Sequence, residues 1–389
     1  MTVGSIFSSC TDDFEKLNTS NIQVNPADLP FAAQCTEPMT YCYPPQQNMF
    51  QFWTNLTIDL YGGYFMTPNG NFTNGDMGEN RGHSGGMYEN YYLHIFNNTR
   101  RIIAQCDASG ERGLSGVMRI VQAYGTLMTT DAYGPIPYSS ILSGENEVYF
   151  EFDSQKDLYK AMLEDLSTAI TDISAMGADE IAKLKSFDCW CNGDKDLWVK
   201  IANTMKLRMA LRLSKRETEA SNAGMNLKAI ATEAAQNTLA TVNKDILIDK
   251  SLENEMWLMF NWGDCGFNAN LVTIMSGTKD PRQPLYMTLN TGDIKNEAGT
   301  TTVAANSQYL GIRFASGLPA KPNSWGNFSG WIQGNNGSSY SMPLPIMKAA
   351  EAYFLLAEAK LRWDIGSESV KNLYENGIRV SMTNELAYR

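Results

Sequence analysis

Apolar positions recur at spacings of three and four along most of this chain, and that period predicts helices. Between residues 342 and 380, Ile346, Ala350, Tyr353, Phe354, Ala357 and Leu361 share one helical face. Val370, Leu373, Tyr374, Gly377, Ile378 and Ser381 repeat the pattern on a second helix. Asp364 to Ser367 separate the two, with Ser367 as an N-cap and Glu368 in the first turn that follows. Pro343 and Pro345 suit the opening of the first helix, where a missing backbone N–H costs little. Alanine and glycine on the inner faces let two backbones approach closely. The pair is a helical hairpin of the kind that stacks into tetratricopeptide-like arrays. A binding scaffold is the first reading of such an array, and an enzyme the second.

The same period continues upstream. Met49 to Tyr64 predicts a helix ended by Gly62-Gly63, followed by a glycine- and asparagine-rich loop over 62–86. Residues 87–106 carry Tyr88, Tyr91, Tyr92, Ile95, Phe96, Ile102 and Ile103 at helical spacing, and Leu114 to Met128 carry the next stripe. Ser154 with Asp157 reads as a capping box, and Asp194 with Asp196 as the acidic start of a helix through Trp198, Met205 and Leu213. A shorter alanine-rich helix is predicted over 224–238. Two regions break the pattern. Residues 11–48 hold Pro26, Pro30, Pro38, Pro44 and Pro45, which predict an extended lead without a long helix. Residues 240–342 lose the period, with short strands expected around 285–289 and 309–314. A loop-rich insertion of that length marks a functional region. The fold class expected is mainly α: tetratricopeptide-like hairpins over about 87–238 and 345–389, with a loop-rich ligand region over about 240–342, in a single domain from 11 to 389.

Composition narrows the functions. Hydrophobic residues are 43 % and charged residues 19 % of the 389, the balance of a globular protein. A net charge of −11 with no basic run argues against nucleic acid as a partner. No segment reaches the length of a membrane-spanning helix. At the start, Phe7-Ser8-Ser9-Cys10 resembles the end of a bacterial lipoprotein signal, so residues 1–10 read as the truncated end of such a signal with Cys10 as the lipid-bearing residue. An ordinary cysteine in a frayed terminus is the other reading. Setting Cys10 aside leaves Cys35, Cys42, Cys106, Cys189, Cys191 and Cys265, an even set that suits either disulfides in an exported protein or buried thiols.

Catalytic constellations are absent from the sequence. His83 and His94 are the two histidines, and neither sits in a metalloprotease, nucleophile-elbow or phosphate-loop spacing. Residues 81–86 are glycine-rich but lack the strand–loop–helix context for phosphate. Asn69-Gly70-Asn71 through Asp76 lacks the closing glutamate of a calcium loop. Acidic residues number 42, too many for any one pair to point to glycoside hydrolysis. Stacking is the better physical case, because a sugar ring lays its C–H face on an aromatic ring while amides take its hydroxyls. Trp53 with Tyr61 and Tyr64, Trp325 with Asn323 and Asn327, and Trp331 with Gln333 and Asn335 fit that description, without metal or cofactor.

Several separated segments agree on one family. RIVQAYGTLMTTDAYGPIPYS (119–139), DLWVKIANTMKLRMALRLSK (196–215), DPR (280–282) and MPLPIMKAAEAYFLLAEAKLRW (342–363), continuing into YENGIRVSM (374–382), resemble the SusD/RagB family of nutrient-binding outer-membrane lipoproteins of Bacteroidetes. Each segment also has a structural reading: two prolines redirect the chain after residue 133, Asn203 is expected to bond a backbone group, and Asp280 to fix a turn with Arg282. Lys206, Arg208 and Arg212 are expected to be solvated or paired with carboxylates. The resemblance implies a helical-repeat scaffold, a lipid anchor at Cys10 in the outer membrane, and a partner, a SusC-like TonB-dependent transporter. It implies an oligosaccharide ligand, with peptide as the runner-up within the family. A glycoside hydrolase on a helical scaffold and a repeat protein that binds only other proteins are the alternatives outside it. Family members continue beyond the point where this chain stops, so it is expected to be incomplete at both ends.

Overall fold

The structure, a computed structural model, describes residues 29–43, 47–69, 72, 78, 80–143, 149–248, 255–296, 298–314, 327–332 and 343–387. Its helices are α1 (Phe31–Tyr41), α2 (Asn97–Ser109), α3 (Arg112–Tyr133), α4 (Gln155–Ser174), α5 (Ala178–Lys185), α6 (Lys195–Arg212), α7 (Leu227–Ala234), α8 (Glu255–Asn261), α9 (Ala269–Thr278), α10 (Ala349–Trp363) and α11 (Val370–Ala387). Shorter helical turns flank several of them. Two stretches, Phe50–Asp59 and Tyr91–Phe96, are π-helical, and the second runs directly into α2. Short strands β1 (Phe65–Met66), β2 (Ile136–Pro137), β3 (Phe152–Asp153), β4 (Ile246–Ile248), β5 (Gly266–Phe267), β6 (Met287–Asn290), β7 (Ile294–Lys295), β8 (Thr301–Val303), β9 (Ser329–Trp331) and β10 (Leu344–Met347) form antiparallel pairs: β1 with β5, β2 with β3, β4 with β10, β6 with β9, and β7 with β8.

The helices stack in the order α2–α3–α4–α6–α7, and α10 packs on α11, as tetratricopeptide-like hairpins do. One apolar core runs through this stack. Ile102, Leu114, Met118, Leu166, Trp198 and Met205 lie in it fully buried, and Ile246, Leu344 and Ala349 continue it into the β4–β10 pair and the start of α10. Caps predicted from sequence hold their helices. Ser154 Oγ accepts from Asp157 N at 3.2 Å, and Asp194 Oδ1 accepts from Asp196 N and Leu197 N at 3.0 and 3.2 Å. Asn203 Nδ2 donates to Val199 O at 3.1 Å, and Arg208 grips Glu351 through Nε and Nη2, both at 2.6 Å, binding α6 to α10. Arg212 pairs with Asp131. Lys206 is buried rather than solvated, reaching Glu233 at 2.9 Å.

Four expectations are corrected. Residues 31–41 form a helix despite Pro38, because Gln34, Cys35, Pro38 and Met39 bury one face against α2 and the π-helix before it. Pro38 lies inside the helix and withdraws one i→i−4 backbone donor, a cost that burial of this face offsets. Pro343 and Pro345 do not open α10: Pro345 lies in β10 opposite Leu247, at a register shift where a strand tolerates a missing donor. Ile346 is accordingly a buried strand residue, and α10 begins at Ala349, whose N–H donates to Asp245 Oδ1 at 2.8 Å. The N-cap of α11 is Ser369, accepting from Asn372 N at 3.1 Å, and not Ser367. Around 309–314 only Ile312 makes a bridge, with Asn268. The close approach expected of the hairpin is present: a Cβ on Gly377 would lie 2.7 Å from Phe354 Cε1. Leu361 nevertheless stays 74 % exposed.

The six described cysteines are free thiols, and all but Cys189 are buried. His83 is buried and stacks on Phe52, while His94 stacks on Tyr41 and meets Glu37 at 2.9 Å. The turn between α5 and α6 closes around one buried carboxylate. Asp188 accepts from Trp190 N (3.0 Å), Cys191 N (2.9 Å), Gly193 N (2.9 Å) and Trp198 Nε1 (2.8 Å). Trp190 then stacks on Trp198 at 5.2 Å and donates its indole N–H to Met39 O at 3.1 Å, which ties α1 to α6. Asp188→Ala removes the acceptor from all four donors, and about 3 kcal/mol or more of stability should be lost. Urea unfolding monitored by far-UV circular dichroism measures this; a loss under about 1 kcal/mol contradicts the anchoring role.

Candidate ligand-binding cleft

The chain leaves the helical body after β4 and returns at β10. Within that excursion, α8 sets Trp257, Phe260 and Asn261 at i, i+3 and i+4, hence on one face. Gly263 ends the helix at φ +69°, a left-handed turn, with Asp264 N donating to Met259 O at 3.1 Å. The chain then enters β5, which pairs with β1, so that Phe65 lies opposite Phe267 and Met66 opposite Gly266. Strand β9 brings Trp331 opposite Met287. The isolated bridge at Ile312 closes the floor: Ile312 N donates to Phe267 O at 2.7 Å, and Ala269 N to Ile312 O at 2.9 Å. A Cβ on Gly311 would fall 2.7 Å from backbone atoms of Ala269, so this contact requires glycine there.

These elements enclose a cleft of about 270 Å³. Trp257, Phe260, Phe328 and Trp331 supply its aromatic walls, and Pro68, which follows β1, completes one rim. Behind them the rings support one another. Trp331 stacks on Phe267 with centroids 5.9 Å apart and planes at 15°, and Phe260 meets Phe267 at 4.8 Å. Asn261 and Thr291 are exposed at the mouth, where amide and hydroxyl can exchange hydrogen bonds with a polar ligand. Aromatic faces with a few polar groups at the edge make a surface that suits a ring with one apolar face and peripheral hydroxyls.

A polar layer lies under the cleft, on the π-helix Phe50–Asp59. Gln51 Nε2 donates to Asp264 Oδ2 and Asn69 Nδ2 to Asp264 Oδ1, each at 2.9 Å, and Asn55 Nδ2 donates to Cys265 Sγ at 3.1 Å. Burial holds the Cys265 thiol protonated, well above its ordinary range. Burial also pushes the Asp59 carboxyl up to about 7.

Sequence reasoning reached this cleft only in part. Trp331 lines it. Asn327 stands beside it and donates Nδ2 to Asp293 O at 2.9 Å. Tyr61 and Tyr64 are 43 % and 53 % exposed; Tyr61 OH donates to Gly78 O at 3.2 Å, and Tyr64 contributes its backbone to the β1 end. Trp53 is 5 % exposed, so no face of its ring is open to a ligand. Cys10, Trp325 and most of the 69–76 loop lie outside the described residues. Missed were Phe328 and, on α8, Trp257, Phe260 and Asn261. That helix is seven residues long, too short for a period to stand out, although the paired aromatics at i and i+3 were visible.

A family model described as "Susd and RagB outer membrane lipoprotein" matches residues 15–388. The chain belongs to the SusD-like family. Membership places it at the outer membrane among lipid-anchored proteins, and no helix among the described residues is long and apolar enough to cross a membrane. A SusD-like protein from Bacteroides thetaiotaomicron shares 26 % identity at a TM-score of 0.74, over 92 % of this chain and 72 % of its own. A SusD homologue from Bacteroides ovatus shares 25 % at a TM-score of 0.73, over 92 % and 72 %. A SusD homologue from Flavobacterium johnsoniae, itself described as chitin-binding, has the same fold at 24 % identity and a TM-score of 0.75, over 91 % and 70 %. No curated protein matches the chain at a significant level.

The Asp59 carboxyl gives a pH test of the layer beneath this SusD-like cleft. Its folded pKa lies above the unfolded value of about 4, so the folded state holds a proton that the unfolded chain gives up. The associated stability is complete at low pH and is lost as pH rises through about 7. Asp59→Asn, uncharged at every pH, should therefore exceed the wild type at pH 8 by on the order of 2 kcal/mol and lose most of that advantage at pH 4.5. Urea unfolding at the two pH values measures it; equal differences at both would rule out the raised pKa.

Proposed function

We propose that the protein captures oligosaccharide at the Trp257–Phe260–Trp331 cleft and hands it to a SusC-like TonB-dependent transporter without catalysis. The observation that carries this reading is the cleft itself: aromatic walls of different orientation with amide and hydroxyl groups at the mouth, on a family scaffold of outer-membrane lipoproteins. Sugars bind such surfaces by stacking their C–H faces while edge groups take the hydroxyls. None of the described residues lining the cleft is acidic, so those residues supply no pair of carboxylates for glycoside hydrolysis. The chitin-binding homologue with the same fold supports a polysaccharide-derived ligand and nominates chito-oligosaccharides as a first probe.

In this reading Cys10 carries the lipid that holds the protein at the cell surface, and the transporter lies beneath it. Trp325 and Asn327 lie within six residues of Trp331 in the sequence and are part of the proposed ligand surface, as are the exposed rings of Tyr61 and Tyr64.

Binding is tested by calorimetry against chito-, malto- and xylo-oligosaccharides, with a peptide library as a parallel arm. Trp331→Ala and Trp257→Ala should each weaken the bound glycan by about tenfold or more while the thermal midpoint holds within a few degrees. Glycan incubation should release no new reducing ends. Peptide binding without glycan binding would replace the ligand class, and product formation would overturn the non-catalytic role. Metabolic labelling with a lipid precursor should mark the wild type and not Cys10→Ala; label retained in Cys10→Ala would remove the anchor assignment.

A further inference from the structure

Asp264 joins two parts of the cleft lining without lining it. Its backbone closes the end of α8, the wall that carries Trp257, Phe260 and Asn261, through Asp264 N donating to Met259 O at 3.1 Å. Its side chain points the other way. Oδ1 accepts from Asn69 Nδ2 at 2.9 Å, and Asn69 directly follows Pro68, the rim residue after β1. Oδ2 accepts from Gln51 Nε2 at 2.9 Å, and Gln51 is itself buried in the π-helix. Asp264 is only 8 % exposed, so these bonds face little competition from water.

Strand pairing does not reach the rim. The β1–β5 ladder ends at Met66 opposite Gly266, and Thr67 to Asn69 continue past it. In that stretch Asn69 N donates to Thr67 Oγ1 at 3.2 Å, and this contact is internal to the loop. The Asn69–Asp264 bond instead spans from the loop to the α8 wall. Both oxygens of a carboxylate are acceptors, so Asp264 can receive the two amide donors at once. An asparagine in its place offers one acceptor and one donor pair, so with the Asn69 amide in its present orientation N–H meets N–H on one side.

We propose that Asp264 is a positioning residue that fixes the Pro68–Asn69 rim against the α8 wall and so sets the width, and the affinity, of the cleft. The affinity part rests on the glycan-binding reading above; the fixed rim does not. The chemistry permits a compensating swap. In Asp264→Asn with Asn69→Asp, Asn at 264 donates to the new carboxylate at 69 while its oxygen still accepts from Gln51. Net charge and side-chain volumes are preserved.

Two measurements on the full chain decide it, using Asp264→Asn, Asn69→Ala and the double swap. Hydrogen–deuterium exchange of the 64–69 segment needs no ligand. It should quicken about tenfold or more in both single variants and return to the wild-type rate in the swap. Calorimetry with the oligosaccharide that binds the wild type best in the panel should show a loss of about tenfold in both single variants and recovery in the swap. A general loss of stability would not be repaired by exchanging the two residues, so recovery separates positioning from folding. Unchanged exchange in Asn69→Ala, or a swap that recovers neither measurement, overturns the proposal. Restored exchange with affinity unaltered throughout overturns its affinity part. If no oligosaccharide binds the wild type, the glycan-binding reading fails, and exchange alone still decides whether Asp264 holds the rim.

Discussion

The antiparallel pairing of β4 with β10 is the constraint on which the rest of the molecule depends. Leu344 lies opposite Ile248 and Pro345 opposite Leu247, and through this clasp the chain leaves the helical stack and comes back to it about a hundred residues later. Ile246, Ile248, Leu344, Ile346 and Met347 all bury in the main core, so the two ends of the excursion are part of the scaffold. Asp245 reinforces the junction: it caps Ala349 N, pairs with Lys348 at 3.2 Å and accepts from Asn384 Nδ2 at 2.9 Å. Tyr124 OH adds a bond to Ile346 O at 2.8 Å. With both ends fixed, everything between them can be shaped for a ligand without disturbing the repeat stack.

The excursion acquires its own support from a distant part of the sequence. The π-helix Phe50–Asp59 and strand β1 pack under α8 and β5, contributing Phe50 to one apolar cluster and Leu56, Leu60 and Met66 to another. A small core of Phe267, Val272, Met275 and Met287 carries Trp331. Several small clusters, rather than one, suit a surface assembled from loops and two-stranded pairs, since no single element there is large enough to bury a continuous face. The cost is reliance on polar bonds, which is why Asp264, Gln51, Asn55 and Asn69 are spent on the underside of the cleft.

Several of the acidic side chains hold the architecture together. Asp188 gathers four N–H donors, Asp245 caps a helix, Asp264 bridges two elements, Glu351 binds Arg208 and Asp280 folds the 280–282 turn around Arg282. Arg282 extends that turn to α11 by donating to Ser381 Oγ at 2.7 Å. Each is consumed by a structural bond. Among the described residues, the lining of the cleft is aromatic and uncharged.

Local pattern was sufficient for the helical part. Periods of three and four, the caps at Ser154 and Asp194, the Asn203 side-chain bond and the DPR turn are properties of neighbours within a turn or two, and the chain states them directly. The family resemblance was legible for the same reason, since its segments are those helices and turns. Local rules failed where distant partners outweighed them. Pro38 was accepted into a helix because its face could be buried, and Pro345 into a strand because Leu247 was there to pair with it. Among the aromatics, Trp53 and Trp331 are equally hydrophobic in sequence, yet one is enclosed and the other lines the cleft. The sequence by itself determined a helical-repeat scaffold with a loop-rich insertion; which rings line the cleft was decided by tertiary structure alone. Burial is set by pairings between residues 65 and 267, 248 and 344, and 287 and 331, and no period along the chain encodes contacts at those separations.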